Sequence, residues 1–292
     1  MIADYILKFI NDRRSYCSGR TVEYYLETLS NFNKWLLAND IQELKQLDDD
    51  TLREYILQLR SSGIKNTSVN TYYRAVKVFF KWLFARQLLS EDYTTNVKLP
   101  RNDADLIIPL TQSEVTTCDS YFLSKRENAL RNYCMFHLML DCGLRRSEVI
   151  NLKSENLTGN HMLHVCNSKF NKSRIVLLPD FLEKSIMNYL GADKRMYVFL
   201  DRYTLNPVTE NTFRKMFDTL RKSTGIKRLH PHLLRHTFAT SYLYYGGNME
   251  MLRLLLGHSD YNITKTYLHL AAQEQLVKSD IYKLDDIFFR RN

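Results

Sequence analysis

The sequence predicts a mainly α-helical protein with one small antiparallel β element, an α+β fold arranged as two domains. Nine glycines and five prolines in 292 residues are few, which favours helices over a turn-rich sheet protein. Apolar residues recur at helical spacing through most of the chain, and a single segment reads as short strands around a polar turn. The length is sufficient for two ordinary domains, each with its own core.

The first domain is predicted to span residues 1–98 as a bundle of four or five helices. The stretches "TVEYYLETLSNFNKWLLAN" and "SVNTYYRAVKVFFKWLFARQLL" carry apolar residues at the helical period, such as Val22, Leu29 and Leu36. Between them, "DDDTLREYILQLRSSG" indicates a shorter helix that begins with acids and ends at Gly63. Residues 99–108 form a polar, charged run bounded by Pro100 and Pro109, which is typical of a linker.

The second domain is predicted to span residues 109–292. It opens with two helical segments, "TQSEVTTCDSYFLSK" and "NALRNYCMFHLMLDCG". The following "HMLHVCNSKFNKSRIVLLP" has β-rich runs on either side of the polar turn "NSKFNKS" and predicts a two-stranded or three-stranded antiparallel element. Helical periodicity then resumes and continues to the end of the chain.

The net charge favours a polyanionic partner. The chain carries +9 with a pI near 9.2, of which +2 lies in residues 1–98 and +7 in the remainder, so nucleic acid or an anionic membrane surface is the expected partner class. Arg74, Lys77 and Lys81 form a basic stripe on one helix, which is read either as a DNA contact or as a solvated helix face. No apolar run approaches the roughly 20 residues of a spanning helix, and the N-terminus lacks signal-peptide features, so we expect a cytoplasmic protein with no membrane-spanning segment.

The cysteines do not indicate a disulfide framework or a zinc site. They are odd in number, scattered, and never arranged as C-x-x-C. We expect all five to be reduced and buried.

Four short clusters carry the residues capable of chemistry: "CGLRRSEVINL", the hairpin tip, "HPHLLRHTFAT" and "LLGHSDYNITKTYLHL". Taken singly, each has a structural explanation, such as a helix cap, a solvated turn lysine or a packed tyrosine. Together they supply what attack on a phosphodiester requires: arginine forks for the non-bridging oxygens, a lysine for the leaving oxygen, histidines for proton transfer and a tyrosine nucleophile. Ionising a free tyrosine at pH 7 costs about 4 kcal/mol, so the nucleophile needs a proton acceptor and a positive field.

These motifs resemble those of the tyrosine site-specific recombinases of the phage integrase superfamily, especially the compact Xer-like members. The resemblance rests on "GLRRSE", "KFNKSR", "HLLRHTFAT" and "LLGHSDYNITKTY" in this order, and on the helix ends "FNKWL" and "FFKWL". It covers the whole chain. It implies a helical, SAM-like core-binding domain followed by a tyrosine-recombinase catalytic domain.

The resemblance also implies roles for individual residues. Arg145 and Arg235 would hold the scissile phosphate, and Lys169 would protonate the 5′ oxygen, with Lys172 as a weaker rival for that role. In the same hairpin, Lys172 and Arg174 are expected to contact DNA.

The remaining roles fall on the last two motifs. His232 would act as the acid and base, His258 would donate a hydrogen bond to the phosphate, and Tyr267 would attack to form a 3′-phosphotyrosyl bond. His236 would be structural, pointing away from the phosphate because His232 and Arg235 share a helix face.

The implied reaction is site-specific recombination of double-stranded DNA without a metal or ATP. It would proceed through a Holliday junction in a tetramer on two sites, made of identical copies or of this chain with a related recombinase. Integration or excision of a mobile element, Xer-type dimer resolution and inversion are all compatible with this chemistry. A DNA-binding protein without catalysis and a type IB topoisomerase are the alternatives.

The C-terminal tail, residues 271–292, is expected to couple the activities of neighbouring protomers. Its helically spaced apolar residues would pack on a neighbouring protomer or, alternatively, on the chain's own domain. They are Ile281, Leu284, Ile287 and Phe288.

Overall fold

The computed structural model describes residues 1–101, 107–124, 128–167, 172–193, 195–258, 260–261, 264–268 and 271. The chain divides into two compact units, Met1–Asp105 and Leu106–Asn292. The predicted fold class, mainly helical with one small antiparallel sheet, is confirmed. No helix in the described ranges is both long enough and apolar enough to cross a bilayer.

The first unit is a helical bundle. Its described helices are α1 (Ile2–Arg14), α2 (Gly19–Ala38), α3 (Asp49–Ser61) and α4 (Asn66–Ala85), with a 3₁₀ turn at Leu44–Gln46. Ser18 caps the start of α2 and Asp48 caps that of α3, each by accepting a hydrogen bond from a backbone N–H of the first turn. The chain turns after α3 through Gly63, in the left-handed conformation predicted for a glycine stop (φ +73°).

The core of this unit is rich in aromatic rings. Phe9, Phe32 and Phe79 are fully buried, and Phe9 meets Phe79 edge-on with ring centroids 5.5 Å apart. The apolar stripes of α2 and α4 face this core, as their helical spacing predicts.

The second unit combines helices with the sheet. Its described helices are α5 (Gln112–Ser124), α6 (Ala129–Leu140), α7 (Arg146–Ile150), α8 (Asp180–Leu190), α9 (Glu210–Thr224), α10 (Pro231–Tyr244) and α11 (Met249–Leu256). A 3₁₀ turn at Ser154–Asn156 precedes the first strand. The helix α6 is buried along most of its length and packs against α5, α8 and α10.

The sheet has three strands, so the three-stranded alternative is the one observed. The strands β1 (Leu157–Gly159), β2 (Met162–Asn167) and β3 (Lys172–Leu177) pair antiparallel in the order β1-β2-β3. Along β3, Val176 faces the core while Ile175 and Leu177 are exposed, as the alternation of a strand requires. The hairpin tip, residues 168–171, lies outside the described residues.

The expectation that all five cysteines are buried is wrong, although all five are free thiols. Cys118, Cys134 and Cys142 lie in the core of the second unit. Cys17 is half-buried, and Cys166 is exposed because it alternates along β2 with the buried Val165.

Candidate active site

The helix α10 carries the first pair of predicted site residues. It starts at Pro231, whose fixed φ and missing N–H suit the first helical position. His232, in the first turn, is exposed, whereas Arg235, one turn later, is only 5% exposed. The same helix therefore presents an imidazole to solvent and a guanidinium to the interior.

Arg235 joins three separate segments. Its Nη1 donates to the carbonyl of Gly143, and its Nη2 donates to the carbonyl of Leu256 (2.6 Å) and to Nε2 of His258 (3.0 Å). Burial and the neighbouring charge of Arg145 lower the pKa of Arg235, but an arginine retains its proton at neutral pH. A permanent positive charge is thus fixed in the interior by backbone acceptors.

Arg145 lies at the start of α7, immediately before its first helical residue. Its Nη1 donates to Oε1 of Glu148 (3.0 Å) and its Nη2 to the carbonyl of Gly257 (3.1 Å). The backbone N–H of Arg145 also donates to Oε2 of Glu148 (2.8 Å), the contact that a glutamate at the third helical position makes in a capping box. The side chain is 31% exposed, so this second guanidinium is reachable from outside.

Two glycines in the left-handed conformation allow this arrangement. Gly143 has φ +64°, and a Cβ there would lie 2.5 Å from the ring of Phe238. Gly257, with φ +61°, ends α11, and its Cβ would lie 3.2 Å from Nη1 of Arg174. The carbonyl of each glycine accepts a hydrogen bond from one of the two predicted phosphate-binding arginines.

Arg174 projects from β3 into the same place. Its two terminal nitrogens donate to the two oxygens of Glu148, each at 2.8 Å, and its Nε donates to the carbonyl of Leu255. The side chains of Arg174 and Glu148 are 10% and 6% exposed. Burial would raise the pKa of Glu148, but Arg174 and Arg145 lower it to about 2, so this carboxylate is ionised at neutral pH.

His258 follows α11 and is buried. Its Nδ1 lies 3.0 Å from Oγ1 of Thr264 and its Nε2 faces Arg235. Burial and the charges of Arg235, Arg145 and Arg174 lower the pKa of His258 to about 4, so the ring is neutral. Because arginine only donates, Nε2 accepts and the ring proton resides on Nδ1.

Tyr267 is 5% exposed and packs between two imidazole rings. Its ring lies 5.2 Å from that of His236, tilted by 49°, and 6.2 Å from that of His258, nearly parallel at 13°. Burial raises the pKa of the Tyr267 hydroxyl, while the charges of Arg235 and Arg145 act to lower it. Both guanidiniums therefore act electrostatically on this hydroxyl.

Two further histidines of α10 are neutral at pH 7. Although His232 is exposed, partial desolvation of its ring lowers its pKa, and the charges of His230, Arg146, Arg235 and Arg145 lower that pKa further. Burial and the neighbouring histidines lower the pKa of His236 to about 4, and the described residues offer no hydrogen-bond partner to its buried Nδ1. A neutral imidazole is the form that accepts a proton.

The structure thus brings together predicted catalytic residues from three of the four motifs, and Arg174 from the hairpin motif. Arg145, Arg235 and His258 are joined through hydrogen bonds, and Tyr267 packs on His258. Lys169 lies outside the described residues, as do the side chain of Lys172 and the four apolar residues of the tail. The guanidinium of Arg174, for which the sequence predicts a DNA contact, is directed into the protein, where Glu148 provides a buried carboxylate for it.

The basic stripe belongs to the first unit. On α4, Arg74 and Lys81 are exposed and Lys77 is half-buried, opposite the core-facing Val76 and Phe79. The ammonium of Lys81 lies 3.9 Å from a carboxylate oxygen of Asp92.

Sequence reasoning missed Glu148 and Thr264. Glu148 is the acid of "GLRRSE", three residues after Arg145, and the capping-box pattern could have indicated that it reaches back to that residue. Thr264 gave no local signal, because no sequence pattern links it to its partner His258, six residues earlier. In the described ranges, no three His, Cys, Asp or Glu side chains lie close enough together to hold a metal ion.

Comparison with known proteins identifies the family of the chain. Residues 110–274 match the phage integrase family, and residues 4–87 match the phage integrase N-terminal SAM-like domain. A tyrosine recombinase of Pseudothermotoga lettingae is 32% identical over 271 residues, covering 88% of this chain and 90% of that protein. Tyrosine recombinase XerD of Halalkalibacterium halodurans is 28% identical over 263 residues, covering 87% and 88%.

Solved structures show the same fold. The integrase of transposon Tn1549, in complex with circular intermediate DNA, superposes with a TM-score of 0.76 at 18% identity, covering 94% of this chain and 98% of that one. The XerH recombinase, bound to a palindromic difH substrate after cleavage, gives 0.75 at 20% identity, covering 95% and 84%. The chain belongs to the phage integrase family, as a tyrosine recombinase with an N-terminal SAM-like domain.

Proposed function

We propose that this protein cuts and rejoins DNA at specific sites through a covalent bond between Tyr267 and a 3′ phosphate. One observation carries the proposal: Arg145, Arg235 and His258 are brought together around the C-terminal end of α11, and Tyr267 packs directly on His258. Two fixed positive charges next to a tyrosine match the needs of a phosphodiester attacked by a phenol.

In the proposed first step, the hydroxyl oxygen of Tyr267 forms a bond to phosphorus as the bond from phosphorus to the 5′ oxygen breaks. His232 takes the phenolic proton, and Lys169 gives a proton to the departing 5′ oxygen. The product is a 3′-phosphotyrosyl bond and a free 5′ hydroxyl. Attack by the 5′ hydroxyl of a partner strand reverses the step and joins the new strands.

The arginines stabilise the charge that accumulates on the phosphorane. Each guanidinium is held by backbone carbonyls before substrate arrives, so little reorganisation accompanies the reaction. The partly exposed Arg145 approaches phosphate from the outer side, and the buried Arg235 from the interior. His258, which accepts a hydrogen bond from Arg235, orients that guanidinium; direct donation from His258 to the phosphate stays a prediction.

The buried position of Tyr267 supports a resting state in the absence of DNA. Its hydroxyl has a raised pKa in this environment and is poorly suited to attack. We propose that binding of the duplex moves the phenol towards the scissile phosphate, where His232 and the two arginines favour its ionisation.

At the level of the assembly, we propose four protomers on two double-stranded DNA sites, exchanging strands in two rounds in the cytoplasm. The homologues are named as tyrosine recombinases, some of the XerC and XerD type, and the Tn1549 structure is of a transposon integrase. Mobile-element integration, dimer resolution and inversion would all use the same chemistry. Sequencing the joined products in host DNA distinguishes them, because each connects different flanks.

A pool of randomised duplexes, nicked near the centre, tests the proposal. The nick releases a short strand after cleavage, so the covalent complex accumulates and its DNA can be sequenced. We expect a sequence-enriched adduct with the natural protein and none with Tyr267→Phe. Binding without an adduct would support a non-catalytic DNA-binding protein, and adducts without sequence enrichment, together with plasmid relaxation, would support a topoisomerase.

A further inference from the structure

Two arginine side chains bind the single buried carboxylate of Glu148, and they form different numbers of hydrogen bonds to it. Arg174 grips both oxygens at 2.8 Å in a bidentate fork, whereas the side chain of Arg145 reaches one oxygen at 3.0 Å. Arg174 and Glu148 are both almost inaccessible to solvent. The fork geometry makes the pair with Arg174 the dominant one.

Among the contacts of the described residues, this division leaves some N–H donors of Arg145 without a partner. Of its five N–H groups, one side-chain donor is directed to Glu148 and one to the carbonyl of Gly257. If Arg174 were lost, the buried carboxylate would have Arg145 as its remaining guanidinium partner in the described contacts. Arg145 would then turn towards a bidentate pair with Glu148, and its donors would no longer face a phosphate.

Arg174 also fixes the end of α11. Its Nε donates to the carbonyl of Leu255, and Gly257 comes so close that a Cβ there would lie 3.2 Å from Nη1. His258 follows directly, with its ring on Arg235. One side chain of the hairpin strand β3 is therefore bonded both to α7, which follows directly after Arg145, and to the end of α11, which leads into His258.

We infer that Arg174 is a positioning residue of the recombination site: by occupying Glu148 and holding the end of α11, it keeps the donors of Arg145 directed at the scissile phosphate. This assignment rests on the proposed function and replaces the direct DNA contact expected from the sequence. Arg174 would therefore affect how strongly Arg145 stabilises the charge on the phosphate, without itself contacting the substrate.

The test compares cleavage of two nicked duplexes of an enriched sequence, one with the natural scissile phosphate and one with a neutral methylphosphonate. Rates are measured in a single turnover at saturating protein. The variants are Arg174→Gln, Arg174→Lys and the control Arg228→Gln, in which Arg228 forms a bidentate pair with Glu114 and donates to backbone carbonyls outside the site.

For Arg174→Gln we expect a loss of roughly 10²-fold on the phosphate, as for a displaced active-site group. On the methylphosphonate, which has no charge to clamp, the loss should shrink to within about threefold of the natural protein. Arg174→Lys retains the charge but not the fork, so it should show the same pattern with a smaller loss. If Arg174→Gln does not fold, the comparison of the two substrates is made with Arg174→Lys. Arg228→Gln should leave both rates near those of the natural protein.

Two results would overturn the assignment. An equal loss on both substrates would make Arg174 merely structural, and an unchanged saturated rate with weaker, less salt-sensitive binding would make it a DNA contact. If the natural protein formed no adduct on either duplex, the proposed function itself would be wrong. This result is distinguishable from a failure of the role assigned to Arg174, in which the natural protein still forms the adduct.

Discussion

At the scale of single residues, the site depends on arginines that are fixed by carbonyls rather than by acids alone. Arg235 uses its planar fork to reach the carbonyls of Gly143 and Leu256 while its Nη2 also meets His258. A lysine has a single ammonium on a flexible stem and cannot satisfy these directions together. The identity of this residue therefore matters beyond its charge.

Replacing Arg235 with Lys should reduce the rate of covalent adduct formation by roughly 10²- to 10³-fold, the usual cost of losing one donor to a transition-state oxyanion. The rate is measured in a single turnover on a nicked duplex. Arg228→Lys is the control, because Arg228 also donates hydrogen bonds from both of its terminal nitrogens but lies outside the site. A rate close to that of the natural protein would show that charge alone suffices and would contradict the geometric argument.

The candidate site residues could be chosen from the sequence alone. Arg145, His232, Arg235, His258 and Tyr267 could be selected because their chemistry requires particular side chains at short, recognisable spacings. The pairing of Glu148 with Arg174 joins positions 26 residues apart and could not be read from spacing. Nor could the burial of Tyr267, which depends on how α10 and α11 pack.

At the scale of elements, α5 and α6 are joined by a buried histidine between two acids. His137 is 4% exposed; its Nδ1 lies 2.6 Å from Asp141 and its Nε2 lies 2.8 Å from Asp119. Burial acts to lower the pKa of His137, but the two carboxylates raise it to about 9. The imidazolium is therefore the form present in the folded protein at neutral pH.

This network predicts a loss of stability in alkali. Because the pKa of His137 is higher in the folded protein than its ordinary 6.5, its contribution is complete below about pH 6.5 and disappears as the pH rises through about 9. The expected change is on the order of 3 kcal/mol in the free energy of unfolding. It is measured by hydrogen exchange of the α6 amides between pH 6 and about pH 10, corrected for intrinsic exchange.

The variant His137→Gln is the reference for this measurement. It should be less stable than the natural protein at pH 6 and should lack most of the alkaline decline, because it has no proton to lose. An equal decline in both proteins would assign the pH dependence to other groups.

The elements themselves were largely predictable. Helical periodicity and turn residues located α2, α3 and α4, and the hairpin followed from the two β-rich runs. The third strand, β1, has only three residues, Leu157–Gly159, too few for an alternating pattern to identify. The exposure of Cys166 required knowledge of which face of β2 is covered.

At the scale of the whole molecule, an excess of basic residues favours binding along a DNA backbone. The formal charge is +9, and α4 of the first unit presents Arg74, Lys77 and Lys81 on the side opposite its core. Each basic side chain that contacts a phosphate releases counterions from the DNA, so the affinity falls as the salt concentration rises.

Changing Arg74, Lys77 and Lys81 to Gln should reduce the slope of log affinity against log salt by about 2 to 3, since each phosphate contact contributes about 0.9. Affinity is measured by fluorescence anisotropy on a labelled duplex at several salt concentrations. The control changes Lys34, Lys45 and Arg53, three exposed basic residues elsewhere in the same unit, to Gln. Equal slopes in the two triple variants would identify the stripe as an ordinary solvated helix face.

The proposed covalent intermediate is tested most directly by identifying the protein atom to which the DNA is bonded. A trapped adduct, digested with nuclease and trypsin, is analysed by tandem mass spectrometry for a nucleotide attached to the peptide of residues 266–278, which contains Tyr267. We expect a 3′-linked phosphate on the hydroxyl oxygen of Tyr267. A phosphate on another side chain, such as that of Tyr261, or linkage through the 5′ end of the strand, would contradict it.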